Sequence, residues 1–164
     1  MLLTQSINIK CDEDALLRII TKITDWTPWV IERKNKVGHI TFNYNGGDSS
    51  NCGIYSAFLS DYWELFKAVS PNIEKFKPNL KKSWITKTIP TGGIFPHIDY
   101  KRNSSMLLPL GDNKGSVKYY PHYSFSKCYW EYKYKGPTRI RTNITHSAVN
   151  NSTTDRYVIQ FYED

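Results

Sequence analysis

The sequence predicts an α+β fold that is mainly β, with N-terminal helices backing a sheet or flattened barrel. Helical periodicity is confined to the first half of the 164 residues, and short segments rich in β-branched and aromatic residues follow one another from about residue 83. A chain of this length can bury one core, and neither half is long enough to fold comfortably alone. We therefore expect one domain over 1–164, with a helical support region at about 1–82 and barrel strands at about 83–164.

The first predicted element is a short amphipathic helix. Asp12 can cap it, and Leu16, Ile19, Ile20 and Ile23 follow at the spacing i, i+3, i+4 and i+7. This spacing places the four side chains on one face of the helix, which we expect to pack on the sheet.

A second helix is predicted from about Ile54 to Val69, and it ends at Ser70-Pro71. Its largely aromatic face is typical of core packing rather than of a platform for stacking bases. The residues of this face are Tyr55, Phe58, Leu59, Tyr62, Phe66 and Val69.

Six strands are predicted in the second half, separated by Pro, Gly, Asn and Asp residues. They are Trp84–Ile89, Met106–Leu110, Val117–Tyr120, Tyr129–Tyr134, Arg139–Thr145 and Arg156–Tyr162. Helices followed by a run of strands indicate helices on one side of a sheet. The pair Gly92-Gly93 is expected to let the chain turn tightly before the segment that carries His97.

Composition excludes several classes of protein. Hydrophobic residues make up 40% and charged residues 23%, which excludes wholesale disorder, and no apolar run approaches the roughly 20 residues of a membrane helix. The net charge of +7 comes from scattered basic residues, which is typical of a solubilising surface and makes nucleic acid a minor option. Cys11, Cys52 and Cys128 form no CxxC pair, so we expect idle thiols and a cytoplasmic protein.

A candidate metal-binding pair lies at His97 and Asp99. Alternate residues of an extended chain face the same side, so an imidazole and a carboxylate in a His-x-Asp pattern can approach one ion from one direction. His146 follows far along the chain, at the end of the predicted strand Arg139–Thr145. Two neutral histidines and one carboxylate form a facial triad, which leaves three metal positions open and suits ferrous iron.

Arg156 opens the last predicted strand. If Tyr157, Ile159 and Phe161 face outward and are covered by the helices, period-two alternation places Arg156 on the inner wall. We expect it to lie beside the strand that ends in His146. A cation in an apolar cavity is costly unless a carboxylate pairs with it. No acidic residue shares this strand face apart from Asp164, so a ligand carboxylate is the natural partner.

These residues resemble the motif of the iron(II)/2-oxoglutarate-dependent oxygenases, whose fold is a double-stranded β-helix, a jelly-roll of the cupin type. The matching motif is His97-Ile98-Asp99, then His146, then Arg156. The likeness is greatest to the aspartyl/asparaginyl β-hydroxylase and cis-proline hydroxylase branch, including phage members. It covers about residues 83–164.

The resemblance implies that His97, Asp99 and His146 bind Fe(II) and are the catalytic centre. It implies that Arg156 binds the distal carboxylate of 2-oxoglutarate, and that O2 and the cosubstrate oxidise an aliphatic C–H bond with succinate and CO2 as co-products. The substrate would be an amino acid, a peptide or protein side chain, or another small molecule. Arg102 is a further candidate for contact with the cosubstrate or with a substrate carboxylate.

Alternatives and departures accompany this resemblance. Some family members have Arg-x-Ser at the cosubstrate position, whereas Arg156-Tyr157-Val158 has no serine, so a Tyr or Thr elsewhere would supply any extra hydrogen bond. One alternative is a catalytically inactive barrel that binds or supports a partner. Another is a cupin-type metalloenzyme without 2-oxoglutarate. His39 and His122 are predicted to be exposed or structural.

Overall fold

The structure, a computed structural model, describes residues 2–28, 53–99, 102–121 and 127–163. Within these ranges the chain is mostly β, with two antiparallel sheets and few helices. The strands are β1 Thr4–Ser6, β2 Thr27–Pro28, β3 Ile54–Phe58, β4 Trp84–Thr88, β5 Gly93–His97, β6 Ser104–Leu110, β7 Ser116–Tyr119, β8 Trp130–Lys133, β9 Thr138–Arg141, β10 His146–Val149 and β11 Arg156–Phe161. The helices are α1 Glu13–Ile20 and α2 Trp63–Val69, with 3₁₀ turns at Leu59–Tyr62, Ile73–Phe76 and Leu80–Lys82. No described helix is both long and apolar enough to cross a bilayer.

The larger sheet has seven strands in the order β1-β9-β6-β11-β4-β3-β2, and the smaller has four in the order β5-β10-β7-β8. On its outer face the larger sheet carries the main apolar core, in which Ile159 and Phe161 of β11 pack with Leu16 and Ile20 of α1. On its inner face a smaller apolar cluster joins it to the four-stranded sheet; Val158, for example, packs in one cluster with Val117 of β7. The alternation predicted for the last strand is therefore confirmed.

The first predicted helix is also confirmed. The Asp12 side chain accepts a hydrogen bond from the Ala15 backbone N–H at 3.0 Å and so caps α1. Leu16, Ile20 and Ile23 are buried. The capped helix covers the outer face of the larger sheet.

The predicted helix from Ile54 to Val69 is wrong in its first half. Ile54–Phe58 is strand β3, which pairs with β4 over five residues, and the α-helix begins only at Trp63. The backbone groups of Ile54–Phe58 find partners across the sheet, and this tertiary pairing overrides the helical spacing. As a result Phe58, placed on the buried face by the prediction, is 49% exposed.

Each of the six predicted strands overlaps an observed one, but the predicted strand Arg139–Thr145 is too long. β9 ends at Arg141, and His146 begins a separate strand, β10, in the other sheet. The prediction that Arg156 lies beside the strand that carries His146 is therefore wrong. Arg156 belongs to β11, whose neighbours are β4 and β6. Strand β5 is absent from the predicted strands because the pair Gly92-Gly93, whose second glycine opens this strand, predicts a turn.

Candidate metal centre

His97 and His146 face each other across paired strands. They are register partners of β5 and β10, and their ring centroids lie 4.4 Å apart. The register shifts just beyond them, so that Ala148 pairs with Ile94, and Pro96 lies in the irregular stretch. Because proline has no N–H to contribute, this interruption of the ladder is well placed. The irregularity brings the two imidazoles together at the end of the strand pair.

Gly93 allows these two strands to approach closely. A Cβ atom added there would contact the Ala148 carbonyl oxygen and lie 2.6 Å from the Val149 Cα atom. Gly93 thus permits a close strand contact, and the predicted tight turn lies just before it, where the Gly92 backbone N–H donates to the Ile89 carbonyl at 2.9 Å.

Asp99 completes the cluster two residues after His97. Its backbone N–H donates to the Thr142 carbonyl at 2.8 Å, which ties the chain beyond β5 to the chain beyond β9. Its Oδ1 atom lies 3.3 Å from His97 Nε2. One ligand atom from each of His97, Asp99 and His146 lies within 4.8 Å of the others, so the three side chains can hold one metal ion.

The electrostatics favour the protonation states that bind metal. Burial alone would raise the pKa of Asp99, but the hydrogen bond with His97 and the charge of Arg102 outweigh it and hold that pKa well below its usual range. Burial, reinforced by the nearby His97, lowers the pKa of His146 to about 4. At neutral pH the carboxylate is ionised and the His146 imidazole is neutral, as metal ligands must be.

The orientation of His146 is set by its own backbone segment. Its Nδ1 atom lies 2.8 Å from the carbonyl oxygen of Ile144. The tautomer that donates this hydrogen bond carries a lone pair on Nε2, where it is available to a metal.

A cavity of about 360 Å³ lies between the two sheets and reaches the three side chains. Most of its wall is apolar. The apolar lining residues are Ile54, Ile94, Leu107, Val117, Ile140, Ala148 and Val158. Arg102, Arg156 and Gln160 also line it, and Asp99 is the one acidic residue among the described lining residues. The cavity thus places two arginines around the possible metal position.

Arg156 is buried in the wall of this cavity, and it forms no ion pair with the described residues that line it. It is only 7% exposed, and its Nε and Nη1 atoms are buried with no hydrogen-bond partner among the described residues. Burial lowers the pKa of its guanidinium, while the nearby Tyr134 acts in the opposite direction. A guanidinium stays charged in proteins, so this side chain has unmet capacity for an anion.

Three residues beside Arg156 were missed by the sequence analysis. Thr88 stands directly opposite it in β4, Tyr134 lines the same cavity, and Gly115 packs against the guanidinium, since an added Cβ there would lie 2.5 Å from Nη1. Thr88 and Tyr134 carry hydroxyl groups, which is the kind of donor expected from a Tyr or Thr elsewhere because position 158 has no serine. No spacing along the chain indicates either one, because both come from other strands or strand ends.

Arg102 lines the cavity, but its side chain is directed at the cluster itself. Its Nε and Nη2 atoms both lie 2.8 Å from Asp99 Oδ2. With the Gln160 amide oriented so that its oxygen faces the arginine, that oxygen accepts from Nη1 and Nη2 at 2.9 Å. Contact between Arg102 and a cosubstrate stays a prediction.

The remaining histidines and the cysteines named in the sequence analysis do not belong to the cluster or lie outside the described residues. His39, His122 and Cys52 lie outside the described residues. Cys11 and Cys128 are free thiols, as predicted. Neither belongs to the cluster.

Comparison with protein-family models and with curated proteins finds no match. Among solved structures the chain is similar to the ribosomal oxygenase YcfD of Escherichia coli, at 13% identity and a TM-score of 0.39 over 75% of this chain and 36% of that one. It is also similar to an oxalate oxidase in complex with the substrate analogue glycolate, at 16% identity and a TM-score of 0.38 over 85% of this chain and 74% of that one. The chain spans about a third of the length of YcfD. Likeness at this level assigns neither a fold family nor a function to this chain.

Proposed function

We propose that the protein is an Fe(II)/2-oxoglutarate-dependent dioxygenase that hydroxylates an aliphatic C–H bond. One juxtaposition supports this: the His97, Asp99 and His146 cluster opens into the same cavity as a buried arginine whose Nε and Nη1 atoms have no described partner. A metal site alone fits many activities. A metal site combined with an unmatched buried cation favours a cosubstrate that is both a chelator and a carboxylate.

In this proposal each group has a distinct task. His97, Asp99 and His146 would hold Fe(II), and Arg156 would hold a carboxylate of 2-oxoglutarate, with Thr88 and Tyr134 as neighbouring hydroxyl groups. When bound, the iron, the cosubstrate and O2 supply the oxidation of the C–H bond, and succinate and CO2 are the co-products. The chain itself binds, orients and shields these groups, and its mostly apolar wall limits the access of water.

The charge of the cavity fits the cosubstrate. Arg156 has no acidic partner among the described residues that line the cavity, because Asp99 is already paired with Arg102. Leaving a guanidinium buried and unpaired is costly, and a carboxylate ligand removes that cost while forming two charge-assisted hydrogen bonds. The donors present therefore suit a dicarboxylic acid.

The wider assignment follows from the same residues. We propose a double-stranded β-helix, formed as one domain by the two facing sheets, in a cytoplasmic protein related to the aspartyl/asparaginyl and cis-proline hydroxylase branch and to its phage members. A cavity of about 360 Å³ is near the lower end of small-molecule sites, which span about 300–1,000 Å³. This size favours a small group as substrate, such as an amino acid, a peptide or protein side chain, or a related small molecule.

The test is anaerobic addition of Fe(II) and then 2-oxoglutarate. The wild-type protein is expected to develop a weak visible charge-transfer band and, in air, to produce succinate. His97→Ala and Asp99→Ala should abolish both, because each removes a metal ligand. A matched control is Asn143→Ala, which changes a residue outside the cavity lining.

Two results would contradict the proposal in different ways. A protein that binds iron but forms neither band nor succinate would favour a metalloenzyme without 2-oxoglutarate. A protein that binds no divalent metal would favour the inactive binding module.

A further inference from the structure

The two carboxylate oxygens of Asp99 are engaged on different sides. Oδ1 lies 3.3 Å from His97 Nε2, on the side where the possible ligand atoms gather. Oδ2 accepts a hydrogen bond from Nε of Arg102 at 2.8 Å and forms an ion pair with Nη2 at the same distance. Only one oxygen of this carboxylate therefore faces the metal position without competition from a cation.

Arg102 is itself held by two residues on the side of the seven-stranded sheet, Gln160 in β11 and Thr142 just after β9. With its amide oriented so that the oxygen faces the guanidinium, Gln160 on β11 accepts from Nη1 and Nη2 of Arg102 at 2.9 Å. The backbone carbonyl of Arg102 accepts a hydrogen bond from Thr142 Oγ1 at 3.2 Å. Thr142 also accepts the Asp99 backbone N–H at 2.8 Å, so one threonine fixes both ends of the segment from Asp99 to Arg102. Such support holds a side chain in one orientation rather than leaving it to sample many.

These contacts also bear on the expectation that Arg102 binds a carboxylate of the cosubstrate or substrate. A guanidinium has five N–H donors in a fixed fork. The Nε donor and donors on both terminal nitrogens are already directed at Asp99 and Gln160. The geometry therefore favours an arginine that acts on Asp99 over one that waits for a ligand.

We infer that Arg102 is a positioning residue that restricts Asp99 to binding the metal through a single oxygen. The inference rests on the proposed metal site. Two histidines and a one-oxygen carboxylate leave three positions on a six-coordinate ion, whereas a two-oxygen carboxylate leaves two. A keto acid that chelates through two atoms would fill both of the latter. Arg102 thus preserves the third open position that the proposed reaction requires.

The experiment counts water molecules on Mn²⁺ bound to the protein without cosubstrate. Water-proton relaxivity of the bound ion is expected to fall by about a third in Arg102→Met, because exchangeable positions drop from three to two. Arg102→Lys, which restores a cation, is expected to recover most of the wild-type value. Arg141→Met is the matched control, since Arg141 donates to Asn143 at 3.2 Å and does not line the cavity. Arg102→Gln replaces the Met variant if that variant does not fold.

The outcomes separate this inference from the proposed function. If wild-type protein binds no Mn²⁺, the proposed function is overturned and the inference with it. If Mn²⁺ binds and the uncharged Arg102 variant keeps the wild-type relaxivity, only the inference is overturned. Equal losses in the uncharged and Lys variants would also overturn it, because a cation at this position would then not hold the second oxygen.

Discussion

The proposed chemistry depends on a few side chains whose orientations follow from alternation along extended backbone. His97 and Asp99 are two residues apart and reach the same ion position, and Arg156 and Ile159 occupy opposite faces of β11, as period two requires. The local sequence pattern predicts well which face of a strand each side chain occupies. It does not predict the partners, because Gln160 and Thr142 meet Arg102 only through the fold.

Arg156 supports a prediction about the balance between stability and ligand binding. Arg156→Met replaces a buried and unmatched cation with an unbranched apolar side chain, so we expect the ligand-free protein to gain about 1–3 kcal/mol in its free energy of unfolding. The same change should weaken 2-oxoglutarate binding by about 100-fold or more, since the carboxylate loses its partner. Urea unfolding and calorimetric titration measure the two effects.

A control separates charge from packing. Arg156→Lys keeps the cation but loses the planar fork, so its affinity for 2-oxoglutarate should lie between those of wild type and the Met variant. Loss of stability in Arg156→Met with unchanged 2-oxoglutarate affinity would instead make the arginine a structural residue.

At the scale of elements, pairing across strands decides what local pattern leaves ambiguous. The apolar spacing from Ile54 onward fits a helix, yet β3 forms because β4 offers a complete ladder of partners. The strand predicted through Thr145 breaks after Arg141 because the chain crosses to the other sheet. In both places the local sequence pattern lacks the pairing partners, which lie in distant parts of the chain.

Gly93 supports a prediction about how closely β5 packs against β10. Gly93→Ala should force β5 away from β10, because the added Cβ atom would meet backbone atoms of Ala148 and Val149 that have little freedom to move. We expect a loss of about 1–3 kcal/mol in the free energy of unfolding. A drop in Mn²⁺ affinity of about tenfold or more is expected as well, since His97 and His146 would separate.

Gly136→Ala is the matched control, because a Cβ atom at that glycine meets nothing within 4 Å. Its stability should stay within about 0.5 kcal/mol of wild type, as for ordinary surface changes. Equal Mn²⁺ affinity in both alanine variants would show that the close approach of β5 to β10 does not position the histidines.

At the scale of the whole molecule, the two described sheets face a shared cavity, and each contributes different side chains to its wall. The four-stranded sheet carries His97 and His146, while the seven-stranded sheet carries Arg156 and Gln160. The described helices cover the far face of the larger sheet, and none of the described residues that line the cavity belongs to them. The proposed metal and cosubstrate positions therefore depend on how the two sheets pack.

The buried interior predicts loss of stability in alkaline solution. Burial raises the pKa of Tyr134, although the nearby Arg156 opposes the shift. The unfolded chain releases this proton near pH 10 while the native protein keeps it, so the stabilising contribution is complete below pH 10 and is lost as pH rises above it. One such group is expected to cost about 1 kcal/mol between pH 10 and 11.

Denaturant titrations of wild type and Tyr134→Phe at pH 9, 10 and 11 measure this effect. The Phe variant should lose about 1 kcal/mol less than wild type between pH 10 and 11, because it has no phenol to ionise. Identical pH dependence in the two proteins would mean that Tyr134 ionises as readily in the native state as in the unfolded chain.

The sequence by itself determined the class of structure, the capped first helix, the locations of most strands and the four side chains on which the proposed chemistry depends. Those features are local, because alternation and helical spacing act between neighbours along the chain. Tertiary structure alone decided that Ile54–Phe58 is a strand, that Arg156 lines the same cavity as the two histidines from the opposite sheet, and that Arg102 meets Gln160. Each of these depends on contacts between segments distant in sequence, whose energies no local pattern contains.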